Sequence, residues 1–98
     1  MIAHHVLFWL KADATPEQKQ AFHDSLQTLE GVETVKNLHI GTPAPIERAV
    51  VDTTYTYSLL VFFDDMAGHD VYQGHELHLA FLDGFRQYFD KVVIYDAQ

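Results

Sequence analysis

Residues 2–10 read Ile2, Ala3, His4, His5, Val6, Leu7, Phe8, Trp9, Leu10, and both alternating sets of this stretch are apolar. Ile2, His4, Val6, Phe8 and Leu10 form one set; Ala3, His5, Leu7 and Trp9 form the other. Side chains alternate across a strand, so a strand with two apolar sets must be covered on both faces. The rest of the chain has to supply those covers, or a partner has to.

Working outward, Thr15 has the character of an N-cap, with Pro16 at the first helical position and Gln18 three residues on, the capping-box pattern. This predicts a helix of about four turns with Phe22, Leu26 and Leu29 inward, stopped by Gly31 in a left-handed conformation. Val32 to Ile40 reads as a second strand, followed by a long connection from Thr42 to Asp52 around Pro43 and Pro45. Thr54 to Phe63 is a third strand with Tyr55, Tyr57, Leu59, Val61 and Phe63 on one side. Asp64 or Asp65 caps a short helix through Tyr72, broken near Gly74, and a second long helix runs from His75 to Phe89. Asp90 to Asp96 closes the sequence as a strand.

The order β, α, β, β, α, β is the split arrangement of an α+β, ferredoxin-like domain: an antiparallel sheet with its helices on one face. With 98 residues, the expectation is a single domain over 1–98. If the helices cover Leu7, Trp9, Leu59 and Val61, then Val6, Phe8, Leu10, Leu60 and Phe62 are left bare. An apolar sheet face of that kind marks an interaction surface, and the simplest cover is a second copy packed around a two-fold axis as a dimeric barrel.

Composition narrows the functional classes. Six basic against fourteen acidic residues give a formal charge of −8, which repels nucleic-acid backbones. No apolar run reaches the roughly 20 residues of a membrane-spanning helix. The absence of cysteine excludes disulfides and thiolate metal sites and fits a reducing compartment, so the cytoplasm is the expected location.

The chemistry concentrates in Tyr72, Gln73, Gly74, His75, Glu76, Leu77 and His78. From His78, the residues Phe81, Leu82, Phe85 and Phe89 follow at the spacing of one helix face, which turns His78 inward. An inward polar side chain needs a partner or a ligand, since leaving it bare costs about 1–3 kcal/mol. The plain alternative is a histidine tied to a backbone carbonyl in an ordinary core. His4, His23, His39 and His69 read as surface or interface residues, with His4 facing the dimer barrel.

The opening Ile2 to Phe8, the Asp13 to Glu17 helix start, the Phe63 and Asp64 pair, and Tyr72 to His78 with Phe81 resemble the stress-responsive A/B barrel (Dabb) domain family of the dimeric α+β barrel superfamily. The resemblance implies a homodimer. It also implies a pocket between sheet and helices in which, as in the family's plant polyketide cyclases, a tyrosine and a histidine act; by motif these are Tyr72 and His78, with His5 and His75 beside them. Two departures stand out: Glu76 follows His75 where family members commonly carry proline, and the first helix offers no inward tyrosine.

The expected site is thus a pocket for a small apolar or aromatic carbonyl compound, lined by Leu7, Trp9, Leu59, Val61, Phe81 and Phe85 with His5, His75, Tyr72 and His78 as polar contacts. If it is catalytic, neutral His78 removes a proton beside a carbonyl while Tyr72 donates to the developing oxyanion, a cyclase or lyase chemistry without cofactor or metal. The alternatives are a non-catalytic binding dimer, a structural dimer, a metal held by His75 and His78 with His5 or an acidic residue, or a haem- or metal-dependent oxygenase-like barrel.

Overall fold

The computed structural model describes residues 1–98 as four strands and three helices: β1 (Ile2–Leu10), α1 (Pro16–Gln27), β2 (Asn37–Gly41), β3 (Tyr57–Phe63), α2 (Met66–Gly74), α3 (Glu76–Phe85) and β4 (Phe89–Ala97). The strands form one antiparallel sheet in the order β2-β3-β1-β4. All helices lie on one of its faces, so the molecule is a two-layer slab 17 Å through its shortest extent. This is the α+β, ferredoxin-like arrangement expected from the element order. No helix is long and apolar enough to cross a membrane.

Register decides which half of β1 is core. Val6 pairs with Leu59 and His4 with Val61, and directly opposed residues share a face. The helix-covered set is therefore Ile2, His4, Val6 and Phe8 with Leu59, Val61 and Phe63. This corrects the sequence expectation for β1. Val6 and Phe8 are core rather than interface, and Leu10, beyond a register shift at Trp9/Leu10, packs against that core. His5, Leu7 and Trp9 point to the open face together with Leu60 and Phe62. A strand apolar on both sets carries no contrast by which to choose, so the sequence pairing of Leu7 and Trp9 with Leu59 and Val61 had no register behind it.

Helix starts follow their caps. Thr15 accepts from the Gln18 amide at 3.2 Å while the Gln18 side chain accepts from the Thr15 amide at 2.9 Å, satisfying two otherwise orphaned donors. Asp65 caps α2 through the Gly68 amide at 3.0 Å. The C-terminus of α1 differs from expectation: the chain tightens into a 3-10 turn over Thr28–Gly31, and no glycine has positive φ. That turn drives Leu29 and Val32 into the core, so no left-handed stop is needed. The second strand accordingly begins at Asn37, not Val32, and the third at Tyr57, not Thr54.

The core centres on Phe22, fully buried between Phe8, Phe81, Phe85 and Phe89, with ring centroids 5.2 to 6.0 Å away, while Tyr57 stacks on it at 5.6 Å. Edge-on and stacked ring pairs of this kind add about 0.5–1.5 kcal/mol each beyond area burial. Phe81 and Phe85, one turn apart on α3, stack at 5.9 Å and carry the helix onto this cluster.

Candidate active site

Between α2, α3 and the sheet lies a cavity of about 170 Å³ lined mainly by apolar side chains, with His4, Tyr72, Gln73 and His78 as its polar groups. Val6, Phe8, Leu59, Phe81, Leu82 and Phe89 supply its apolar walls. Its outer wall is β4, where Val92 and Ile94 face the helix layer yet remain 37% and 51% exposed because no helix covers that edge.

Tyr72 comes from α2, whose inward face it ends, and is 1% exposed. Burial alone pushes its phenol above the ordinary value, with no charge or hydrogen bond offsetting the effect. The hydroxyl therefore stays protonated at neutral pH and is available as a hydrogen-bond donor. His78 comes from the first turn of α3, its ring centroid 4.8 Å from that of Tyr72. Its Nδ1 lies 3.1 Å from the carbonyl oxygen of Gln73. A carbonyl can only accept, so Nδ1 carries the hydrogen and neutral His78 holds its lone pair at Nε2. Burial lowers the His78 pKa below 6.5, opposed by the Gln73 bond and reinforced by the nearby rings of His4 and His69. The ring is therefore a free base at neutral pH.

His4 was expected to face the dimer barrel. It lies instead among the helix-covered residues, 2% exposed, its ring 5.8 Å from Tyr72, and its Nδ1–H donates to Asp96 on β4 at 2.6 Å. His69, expected at the surface, packs its ring edge-on to His4 at 5.3 Å. Sequence spacing could not have joined residues 4, 69 and 96; the one available signal was that His4 shares its parity with Ile2, Val6 and Phe8.

Other expected site residues separate. His5 is on the open face, bonded to Ser58 Oγ at 2.8 Å, and Leu7 and Trp9 accompany it there, away from the cavity. Trp9 is held by the 42–56 connection through Thr54 at 2.9 Å and by Lys91 over its ring. His75 caps α3: its Nδ1 accepts from the Leu77 amide at 3.0 Å and its Nε2 lies 3.4 Å from Glu33. The structure therefore does not assemble the His5, His75 and His78 metal group. Leu59 and Phe81 line the cavity, whereas Val61 and Phe85 lie in the packing around it.

A two-layer sheet-and-helix slab with a mainly apolar cavity, lined by His78 and the buried Tyr72, defines the class: a ferredoxin-like α+β domain. The chain belongs to the stress-responsive A/B barrel domain family, whose model matches residues 2–98. Among curated proteins, none matches it.

Solved structures share the fold. A protein of Arabidopsis thaliana superposes with a TM-score of 0.83 at 24% identity, over 100% of this chain and 94% of its own. A dimeric ferredoxin-like protein of unknown function from Thermobifida fusca gives 0.81 at 23%, covering 98% and 88%. The hydroxynitrile lyase of Passiflora edulis gives 0.81 at 19%, covering 98% and 90%.

Proposed function

We propose that this chain is a single-domain homodimer that binds a small apolar or aromatic carbonyl compound in the Tyr72–His78 cavity and performs acid–base chemistry on it. One observation carries the reading: the Gln73 carbonyl fixes the proton of His78 on Nδ1, leaving Nε2 as a bare base, and His78 and the buried Tyr72 line the same cavity. Nε2 takes the proton of the reacting group, and the Tyr72 hydroxyl donates to the oxygen or leaving group where charge develops. His4, held by Asp96 and packed against Tyr72, keeps the phenol in place.

Size narrows the substrate. An apolar cavity of about 150 Å³ takes up a benzene ring, so about 170 Å³ suits one ring with a short polar substituent, with anything longer leaving through the β4 edge. Two readings of the chemistry fit: proton removal beside a carbonyl, as in a cyclase, or cleavage of a hydroxynitrile, the activity named for the Passiflora neighbour. The second would take the hydroxyl proton to His78 Nε2 as the C–CN bond breaks, with cyanide leaving as the carbonyl forms.

The homodimer follows from the bare sheet face and from the dimeric description of neighbours such as that of Thermobifida fusca. A cysteine-free chain suits the cytoplasm. The test uses benzaldehyde for binding and mandelonitrile for turnover, in the wild type and in His78→Ala and Tyr72→Phe. Saturable benzaldehyde binding weakened in both variants supports the site; turnover lost in both supports catalysis. Equal behaviour of all three proteins removes both residues from it.

A further inference from the structure

The acid–base reading leaves His69 without a role and uses Asp96 only to hold His4, yet both meet the His4 ring. We infer that His4, His69 and Asp96 form a binding site for a divalent transition-metal ion beside the Tyr72–His78 pair, the two sharing His4 as a neighbour. One donor atom from each of the three lies within 4.8 Å of the others. They come from three elements, β1, α2 and β4, so an ion would tie the free edge strand to the helix layer.

Two further observations point to a ligand. First, His69 is already oriented as metal-binding histidines are: its Nδ1–H donates to Asp70 at 3.1 Å, which leaves the lone pair on Nε2. Only a weak contact from the Gln73 amide, at 3.4 Å, meets that nitrogen. Second, the Asp96 carboxylate is 48% exposed and borders a recess of about 370 Å³ with Ile2, Met66, Ala97 and Gln98, so the acidic member of the cluster is open to ions from outside. A net charge of −8 favours cation approach.

Two imidazoles with one carboxylate select zinc or a neighbouring first-row ion over magnesium or calcium, which prefer all-oxygen sets. With bonds of about 2.0–2.2 Å the ligand atoms must stand roughly 3.3 Å apart. His4 and Asp96, now 2.6 Å apart, would part slightly while His69 swings inward. The proton on His4 Nδ1 moves to Nε2 as Nδ1 takes the ion, so His4 remains neutral and available to pack on Tyr72.

The experiment is zinc titration by calorimetry on untagged protein, with cobalt absorption as a second readout. The proteins are wild type, His69→Gln, Asp96→Asn and His75→Asn. Asp96→Asn keeps an oxygen for the His4 Nδ1–H, so the fold is retained while the anionic ligand is lost. The expected result is one ion per chain, with affinity falling at least tenfold in His69→Gln and in Asp96→Asn and holding in His75→Asn. Absence of binding at millimolar zinc overturns the site. So does wild-type affinity in His69→Gln and Asp96→Asn, or a loss confined to His75→Asn, which would move the ion to the His75–Glu33 contact.

Discussion

Val6 stands directly across the β1–β3 ladder from Leu59, and this pairing decides which half of a doubly apolar strand belongs to the core. Once Val6 is inside, Phe8 and His4 follow it in, and Leu7, His5 and Trp9 must face out. The same parity leaves Leu60 and Phe62 outside with them, joined by Val93 and Tyr95 of β4.

Substitutions on the two faces should separate cleanly. Phe8→Ala removes a ring 3% exposed and should cost about 3–5 kcal/mol of unfolding free energy. Leu60→Glu should leave the monomer fold nearly intact while abolishing association, because it places a charge at the centre of the bare face. Urea denaturation and light scattering read the two effects. A Leu60→Glu protein that remains at twice 11.2 kDa would place the interface elsewhere.

Helix α3 depends on an unusual cap. His75 supplies the acceptor for the Leu77 amide where serine, threonine or aspartate is the common choice. His75→Ala should therefore destabilise by about 1 kcal/mol, and His75→Asn should restore most of it. Benzaldehyde affinity should be unchanged in both, which distinguishes a capping residue from a ligand contact.

Stability should fall on mild acidification in a way traceable to His78. Burial lowers its folded-state pKa from 6.5, so the unfolded chain gains a proton at higher pH than the folded one. The contribution is complete above about pH 6.5, shrinks as the pH drops through that value, and levels off below the folded-state pKa. Urea midpoints followed from neutral to about pH 5 should show a shallower decline in His78→Gln than in wild type.

Tyr72 gives the opposite limit. Its phenol is raised by burial, so ionisation is resisted in the folded state and stability is lost as the pH climbs above the unfolded value of about 10. Tyr72→Phe should remove that alkaline loss, seen as a flatter stability curve on the basic side.

The element order, the capping box at Thr15 and the inward turn of His78 were legible because each leaves a local signature: alternation, a polar cap three residues ahead of its partner, or a helical stripe; Tyr72 was placed through the family resemblance. The face of β1 was not, since both of its sets are apolar and only pairing with β3 breaks the tie. His4, His69 and Asp96 were missed for a related reason. They are 65 and 27 residues apart along the chain, and only the β1–β4 ladder and the docking of α2 bring them into reach. His75 was legible as a helix boundary but not as its own cap, because histidine seldom serves there.

The most direct test of the acid–base cavity is long-range ¹H–¹⁵N NMR of the His78 ring, titrated with pH and then with benzaldehyde. The account predicts a proton on Nδ1, a bare Nε2, titration below 6.5 and a shift at Nε2 when the aldehyde binds. A proton found on Nε2, titration above 6.5, or an Nε2 signal indifferent to saturating aldehyde would contradict it.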